Sequence, residues 1–372
     1  MGVNALTEHR SAVAAGPTRT STRPSDRDPG PDVVRAVAIF GVIVMNFHGY
    51  LIHRGAARDG SPAAVYDLFD PWDGPLATRF AATFALTAGV GVTLLTRSRR
   101  PGISWVLARR GLLLYGAGLA FDFVWPGTIL PYYGAMFVIA ALVWRLRSWA
   151  VLAVGAVAAL AAFGLRWVVL ERQLDGRTTT WLTDPGPRSP TALMVDVFVN
   201  GTHPLLPWLA FFCAGIVLGR QLARPAWRVV VAFAGGALFT LATLLGTAAT
   251  GTRRSVLLGT DPWSRSLVYT ASALGTALLA FAAITWLAER WAATAALDFL
   301  QRAGQMSLTI YLAHALLFNL LVDWLGLVQP GSIWATLALA FAVWLLALVA
   351  AVAYQQRFRR GPAEQLYRAL TA

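Results

Sequence analysis

The sequence predicts an all-α protein, a polytopic membrane helix bundle of about ten transmembrane helices with both termini cytoplasmic. Three observations predict it. Of the 372 residues, 57% are hydrophobic and only 13% charged, whereas a soluble domain carries roughly 25% charged residues. Apolar runs long enough to cross a bilayer recur along the chain, a crossing needing about 20 residues at 1.5 Å of rise each. The arginines collect in alternate connections between those runs, the pattern of topology determinants.

Residues 1–30 are polar, rich in Gly, Pro, Ser, Thr and Arg, and lack the apolar centre of a signal peptide. They read as a disordered tail, placed in the cytoplasm by Arg10, Arg19, Arg23 and Arg27. A transmembrane domain follows over 31–356, and residues 357–372 read as a cytoplasmic C-terminal tail. The spans fall at 33–52, 77–96, 105–124, 129–145, 149–170, 204–220, 226–248, 267–287, 305–325 and 332–354. Pro75, Pro101, Pro126, Pro131, Pro204, Pro225 and Pro330 lie in connections or first turns, where a missing N–H is tolerated.

An even number of spans returns both termini to one side. The inner connections hold Arg97, Arg99, Arg100, Arg109 and Arg110, then Arg145 and Arg147. Arg220, Arg224, Arg228, Arg290 and Arg302 continue the set, which ends with Arg357, Arg359, Arg360 and Arg368. The outer connections, 53–76, 171–203 and 249–266, are longer and richer in aspartate, and long loops in a compact bundle are often functional. Trp72, Trp125, Trp181 and Trp263 fit an interfacial belt.

Composition also excludes. The net charge of +13 comes entirely from arginine on the basic side, but it is spread among connections, so nucleic acid is not an expected partner. The single cysteine, Cys213, allows neither an internal disulfide nor a thiolate metal site. No zinc spacing, nucleophile elbow, phosphate loop or EF-hand loop occurs, and Asp59, Asp67, Asp70 and Asp73 read as solvated charges, so no metal is expected. Neither an internal repeat nor a matched pair of broken helices is visible, which weighs against a transporter.

Polar groups inside a membrane are costly and therefore candidates. In the first span Arg35, Ile39, Val42, Asn46, Gly49 and His53 follow steps of four and three, a single helical stripe, with His48 close by. Arg35 also reads as a snorkelling cation and Asn46 as glue between helices. In the ninth span Ser307, Tyr311, His314 and Phe318 form a second stripe. His314 either bonds across helices or, facing the first stripe, binds substrate or shuttles a proton. The sixth span starts at Asn200-Gly-Thr-His-Pro, which places His203 in an outer cap with Asp196 near enough in sequence to orient it.

Several segments resemble one family. Residues 32–46, Asp-Val-Val-Arg-Ala-Val-Ala-Ile-Phe-Gly-Val-Ile-Val-Met-Asn, resemble the first helix of the heparan-alpha-glucosaminide N-acetyltransferase-like and YeiB-like membrane proteins, with Ala36 where those carry glycine. Arg109-Arg110, Ile129 to Gly134, His203 to Gly219, Ala303 to His314 and Arg360 to Glu364 resemble later segments of the same proteins, so the resemblance covers nearly all of residues 31–370. It implies a transmembrane acyltransferase in the cell membrane. Such an enzyme moves an acyl group, acetyl foremost, from cytoplasmic acyl-CoA to a hydroxyl or amine of a glycan, lipid or small metabolite near the outer face. It further implies that Asn46 and a nearby histidine, His48 or His53, are catalytic.

The chemistry is coherent. Arg35, Arg97, Arg109 and Arg110 could hold the phosphates of the acyl donor. The imidazole would take the acceptor's proton, and the Asn46 amide would donate to the oxyanion; alternatively the histidine carries the acyl group. Asn200, His203, Trp208, Tyr311 and His314 are the candidates for holding substrate. Expected partners are membrane lipids, acyl-CoA and the acceptor, and a homo-oligomer is left open. Two rivals stand beside this reading: an exporter of a lipid or small metabolite, marked by a midplane cavity with two access routes, and a non-catalytic scaffold, marked by a tightly packed bundle.

Overall fold

The computed structural model describes residues 28–55, 62–98, 100–184, 189–329 and 331–371. Arg10, Arg19, Arg23, Arg27, Asp59, Arg99 and Pro330 lie outside the described residues. Every regular element among those described is helical. In order they are α1 (Gly30–His53), α2 (Ala63–Leu68), α3 (Arg79–Thr96), α4 (Ile103–Phe121), α5 (Leu130–Val143) and α6 (Ser148–Leu174). Then come α7 (Thr180–Thr183), α8 (Pro190–Val195) running into a π-helical turn Asp196–Asn200, α9 (Leu205–Gln221), α10 (Trp227–Gly246) and α11 (Thr252–Leu258). The chain continues with α12 (Leu267–Arg290), α13 (Ala295–Gln305), α14 (Ser307–Phe318) with a π-helical extension Asn319–Trp324, α15 (Ile333–Arg357) and α16 (Pro362–Thr371).

Among the described residues seven helices are long and apolar enough to cross a membrane: α1, α3, α6, α10, α12, α14 with its extension, and α15. An eighth arises if α8 and α9 count as one span, bent by 53° between Asn200 and Leu205. The two other expected spans are α4, whose apolar run is diluted by Arg109 and Arg110, and α5, whose 14 residues fall short of the usual crossing length. The chain is a multi-pass helical membrane bundle, and its outer surface agrees. Leu142, Val229 and Phe233 are more than seven-tenths exposed, which suits hydrocarbon and not water.

α1 occupies the centre, against α3, α12, α13, α14 and α15. Its most apolar stretch is 61% buried, whereas that of α10 at the rim is 17% buried. Small residues allow the closest approaches, as in membrane interfaces generally. A Cβ at Gly215 of α9 would run into the Leu86 carbonyl of α3, and one at Gly304 of α13 into the Asp32 carbonyl of α1.

Contacts between helix ends sort them into two groups. At one end Arg97 donates to the Gly219 carbonyl at 3.2 Å, Arg220 to the Trp144 carbonyl at 2.7 Å, and Arg109 to the Leu370 carbonyl at 2.9 Å. At the other end Arg54 meets Asp323, Thr78 meets Tyr269, and Arg253 meets Glu171. The segment read as a C-terminal tail contains α16, packed on α4 and α14. Trp125 is a correction: it is 1% exposed and sits in the core, whereas Trp181 and Trp263 are exposed as a belt requires.

Candidate functional site

The two polar stripes meet. The Asn46 side chain on α1 and His314 on α14, 268 positions apart, are joined by an Nδ2···Nε2 hydrogen bond of 3.2 Å. An amide nitrogen only donates, so His314 Nε2 accepts and the ring proton lies on Nδ1. Nδ1 is buried and has no hydrogen-bond partner. One turn earlier the Tyr311 hydroxyl accepts from Ile129 N at 3.0 Å and bonds Thr128 Oγ1 at 3.0 Å, tying α14 to the turn before α5. The His314 ring is walled by Phe47, Trp125 and Tyr311, with ring centres 6.0, 5.5 and 5.1 Å away.

An aromatic cap closes this pair toward the aspartate-rich end. Tyr50 stacks on Trp125 at 3.9 Å and its hydroxyl donates to the Pro126 carbonyl. Arg54 makes a fork to Asp323, at 2.5 Å and 2.6 Å, and lies over the rings of Tyr50 and Phe318. Asn319 donates to the Val124 carbonyl at 2.8 Å. The sequence offered no signal for Arg54 or Asp323 and pointed to Trp125 only as a belt residue, because nothing in their spacing separates them from ordinary interfacial residues.

The other two catalytic candidates diverge from Asn46. Residues two apart on a helix differ by about 200° in direction, and His48 accordingly faces away. Its Nδ1 donates to the Phe69 carbonyl at 2.8 Å, and its Nε2 is buried without a hydrogen-bond partner. His53 is exposed and meets Trp72 edge-on at 5.1 Å.

A cleft of about 650 Å³ opens at the same end as the cap, lined by Leu119, Phe123, Tyr132 and the carboxylates Asp122, Asp184 and Asp196. Asp196 does not orient His203; it accepts from the Tyr132 hydroxyl at 3.0 Å. His203 pairs with Thr202 Oγ1 at 3.1 Å and lies edge-on to Trp208, 4.6 Å between centres. Partial burial beside Trp208 and Tyr132 pushes its pKa down to about 3. Asn200 also lines the cleft, but its polar atoms are engaged: Nδ2 with the Leu182 carbonyl, Oδ1 and O with Arg265 at 3.3 and 2.8 Å. Burial lowers the Arg265 pKa to about 10, which leaves it cationic at neutral pH.

The four candidate phosphate ligands gather at the arginine-rich end with protein partners already in hand. Arg35 pairs with the buried Asp32 at 3.2 Å, and its Nη2 lies where a Cβ at Gly91 would approach to 2.6 Å. Arg97 binds the Gly219 carbonyl. Arg109 and Arg110 reach Leu370 O and Thr371 Oγ1, at 2.9 and 3.4 Å, and so cap the C-terminus of α16. Among the described residues no three carboxylate, imidazole or thiol groups converge as a metal site requires.

Residues 214–372 match the family model described as "Protein of unknown function (DUF418)". Comparison with curated proteins gives no match.

Proposed function

We propose that the protein is a transmembrane acyltransferase that uses acyl-CoA, acetyl-CoA foremost, and that its catalytic pair is Asn46 and His314. In this reading the chain crosses the cell membrane ten times, the arginine-rich end is cytoplasmic, and both termini lie there. The resemblance to YeiB-like proteins points the same way, and the family match over the C-terminal part is compatible with it. The single observation that carries the proposal is the buried hydrogen bond between Asn46 and His314.

An amide suits this task where a carboxylate would not. Its Nδ2 donates to the neutral imidazole, and after a turn its Oδ1 accepts from the protonated one, so both states of the base are satisfied. The acceptor's oxygen or nitrogen attacks the thioester carbonyl carbon, forming the new C–O or C–N bond. The Asn46 amide turns its Nδ2 away, freeing the Nε2 lone pair, and the acceptor's proton passes to His314 Nε2. The C–S bond breaks, and the departing thiolate takes the proton back from the imidazolium. The acidic cleft beside Tyr132 would receive an acceptor bearing amine or hydroxyl groups.

The test is transfer of label from radiolabelled acetyl-CoA to a glycan, lipid or amine acceptor by protein in nanodiscs. His314→Ala and Asn46→Ala should abolish it, while His53→Ala should retain most of it. Transfer that survives both core substitutions refutes the pair. A second reading, an exporter, is favoured by the 53° break before α9, since broken helices mark transporter sites. Substrate flux into proteoliposomes without label transfer would select it.

A further inference from the structure

The bundle interior holds a polar group that the catalytic pair does not use. Tyr133 on α5 is buried, yet its hydroxyl has no hydrogen-bond partner. Burying an unpaired hydroxyl is unfavourable, and in a packed apolar interior such an atom usually serves a ligand or water. The position of Tyr133 is firmly set. Its ring stacks on Phe84 of α3 at 5.7 Å. The next residue, Gly134, lies so close to α4 that a Cβ there would approach Gly111 O to 2.6 Å, which fixes the rotation of α5. The hydroxyl is within electrostatic range of both Tyr311 and Arg35. Tyr311 contacts His314, while Arg35 belongs to the arginine-rich end. Tyr133 thus lies within range of a residue of each region, the arginine-rich end and the surroundings of His314. By contrast Tyr311, the neighbouring tyrosine, has its hydroxyl fully engaged with Thr128 and Ile129.

We propose that the Tyr133 hydroxyl binds the neutral arm of the acyl donor, donating a hydrogen bond to an amide or thioester carbonyl between the arginine-rich end and His314. This rests on the acyltransferase reading and adds to it a residue that recognises the arm and not the nucleotide.

The experiment compares wild type, Tyr133→Phe and Tyr311→Phe in nanodiscs, by titration with acetyl-CoA and with 3′-phospho-ADP, which lacks the arm. Tyr133→Phe should weaken acetyl-CoA binding about tenfold, the worth of ~1.4 kcal/mol in binding, and leave 3′-phospho-ADP binding unchanged. Without ligand its Tm should stay level or rise, because the unpaired hydroxyl is gone, while Tyr311→Phe should lower Tm. Equal acetyl-CoA affinity in wild type and Tyr133→Phe would overturn the Tyr133 assignment alone. Wild type that binds neither ligand would overturn the acyltransferase reading and this assignment with it. Equal weakening of both ligands by Tyr133→Phe would refute recognition of the arm.

Discussion

Replacing Glu364 is expected to loosen the helix that carries His314. Glu364 lies on α16, but its carboxylate caps α14: Oε1 accepts from the backbone of Leu308 at 2.7 Å and of Thr309 at 3.1 Å, and Oε2 accepts from Thr309 Oγ1 at 2.5 Å. Met306, which precedes α14, supplies no cap of its own. Gly361 makes the arrangement possible, since a Cβ there would collide with both the Glu364 carboxylate and Thr309 Oγ1. Loss of a helix cap costs about 0.5–2 kcal/mol, and a negative charge at a helix N-terminus adds about 0.3–1 kcal/mol. Glu364→Ala should therefore destabilise the protein by about 2 kcal/mol, and Glu364→Gln, which retains an acceptor, by about 1 kcal/mol or less. Denaturant unfolding in micelles measures both. Hydrogen–deuterium exchange should show the loss first in residues 307–314. Equal stability of wild type and Glu364→Ala would refute the reasoning, as would a loss confined to α16.

Three further outcomes are expected. Trp125→Ala should cost about 3–5 kcal/mol, as large aromatic truncations do, and should speed exchange at residues 311–318, because its ring covers His314; unaltered exchange would show that the cap does not seal the pair. Gly215→Ala should cost about 1–3 kcal/mol by driving α9 off the Leu86 carbonyl, whereas Gly164→Ala on α6, with nothing within 4 Å, should be neutral or slightly stabilising in thermal melts. For His203, a folded-state pKa of about 3 against an unbound value of 6.5 means the unfolded chain binds the extra proton between those values. Stability from this group is thus present above pH 6.5 and lost as pH falls toward 3; Tm should drop on acidification from pH 7 to 5, and His203→Gln should flatten that slope.

The sequence reached some features and missed others for identifiable reasons. The stripes through Asn46 and His314 were legible because a 3.6-residue period shows which residues share a helix face. Their meeting was not, because periodicity says nothing about which helices are neighbours. Two expected spans, α4 and α5, stand outside the helices that are long and apolar enough by themselves, because a hydropathy reading does not weigh the 14-residue length of α5 or the arginine pair inside α4. The break before α9 was half visible: Pro204 marked a boundary and Pro207 disfavours a helical Leu206, but the size of the bend could not be read from the sequence. Trp125 was misread because tryptophan is equally at home in an interfacial belt and a core. Asp196 was placed near His203 by sequence proximity, while the fold turned it to Tyr132.

The bond between Asn46 and His314 also constrains how the molecule is made. Asn46 lies on α1, and its partner lies 268 positions later in the chain. Until the ribosome has delivered α14, the carboxamide sits in the bilayer without its imidazole, and an unmatched amide in hydrocarbon invites other partners. α1 must therefore be sheltered, by the insertion machinery or by provisional contacts, until α14 is made. A nascent chain halted before residue 307 carries that exposed amide as a mark of incompleteness, one that cellular quality control could read.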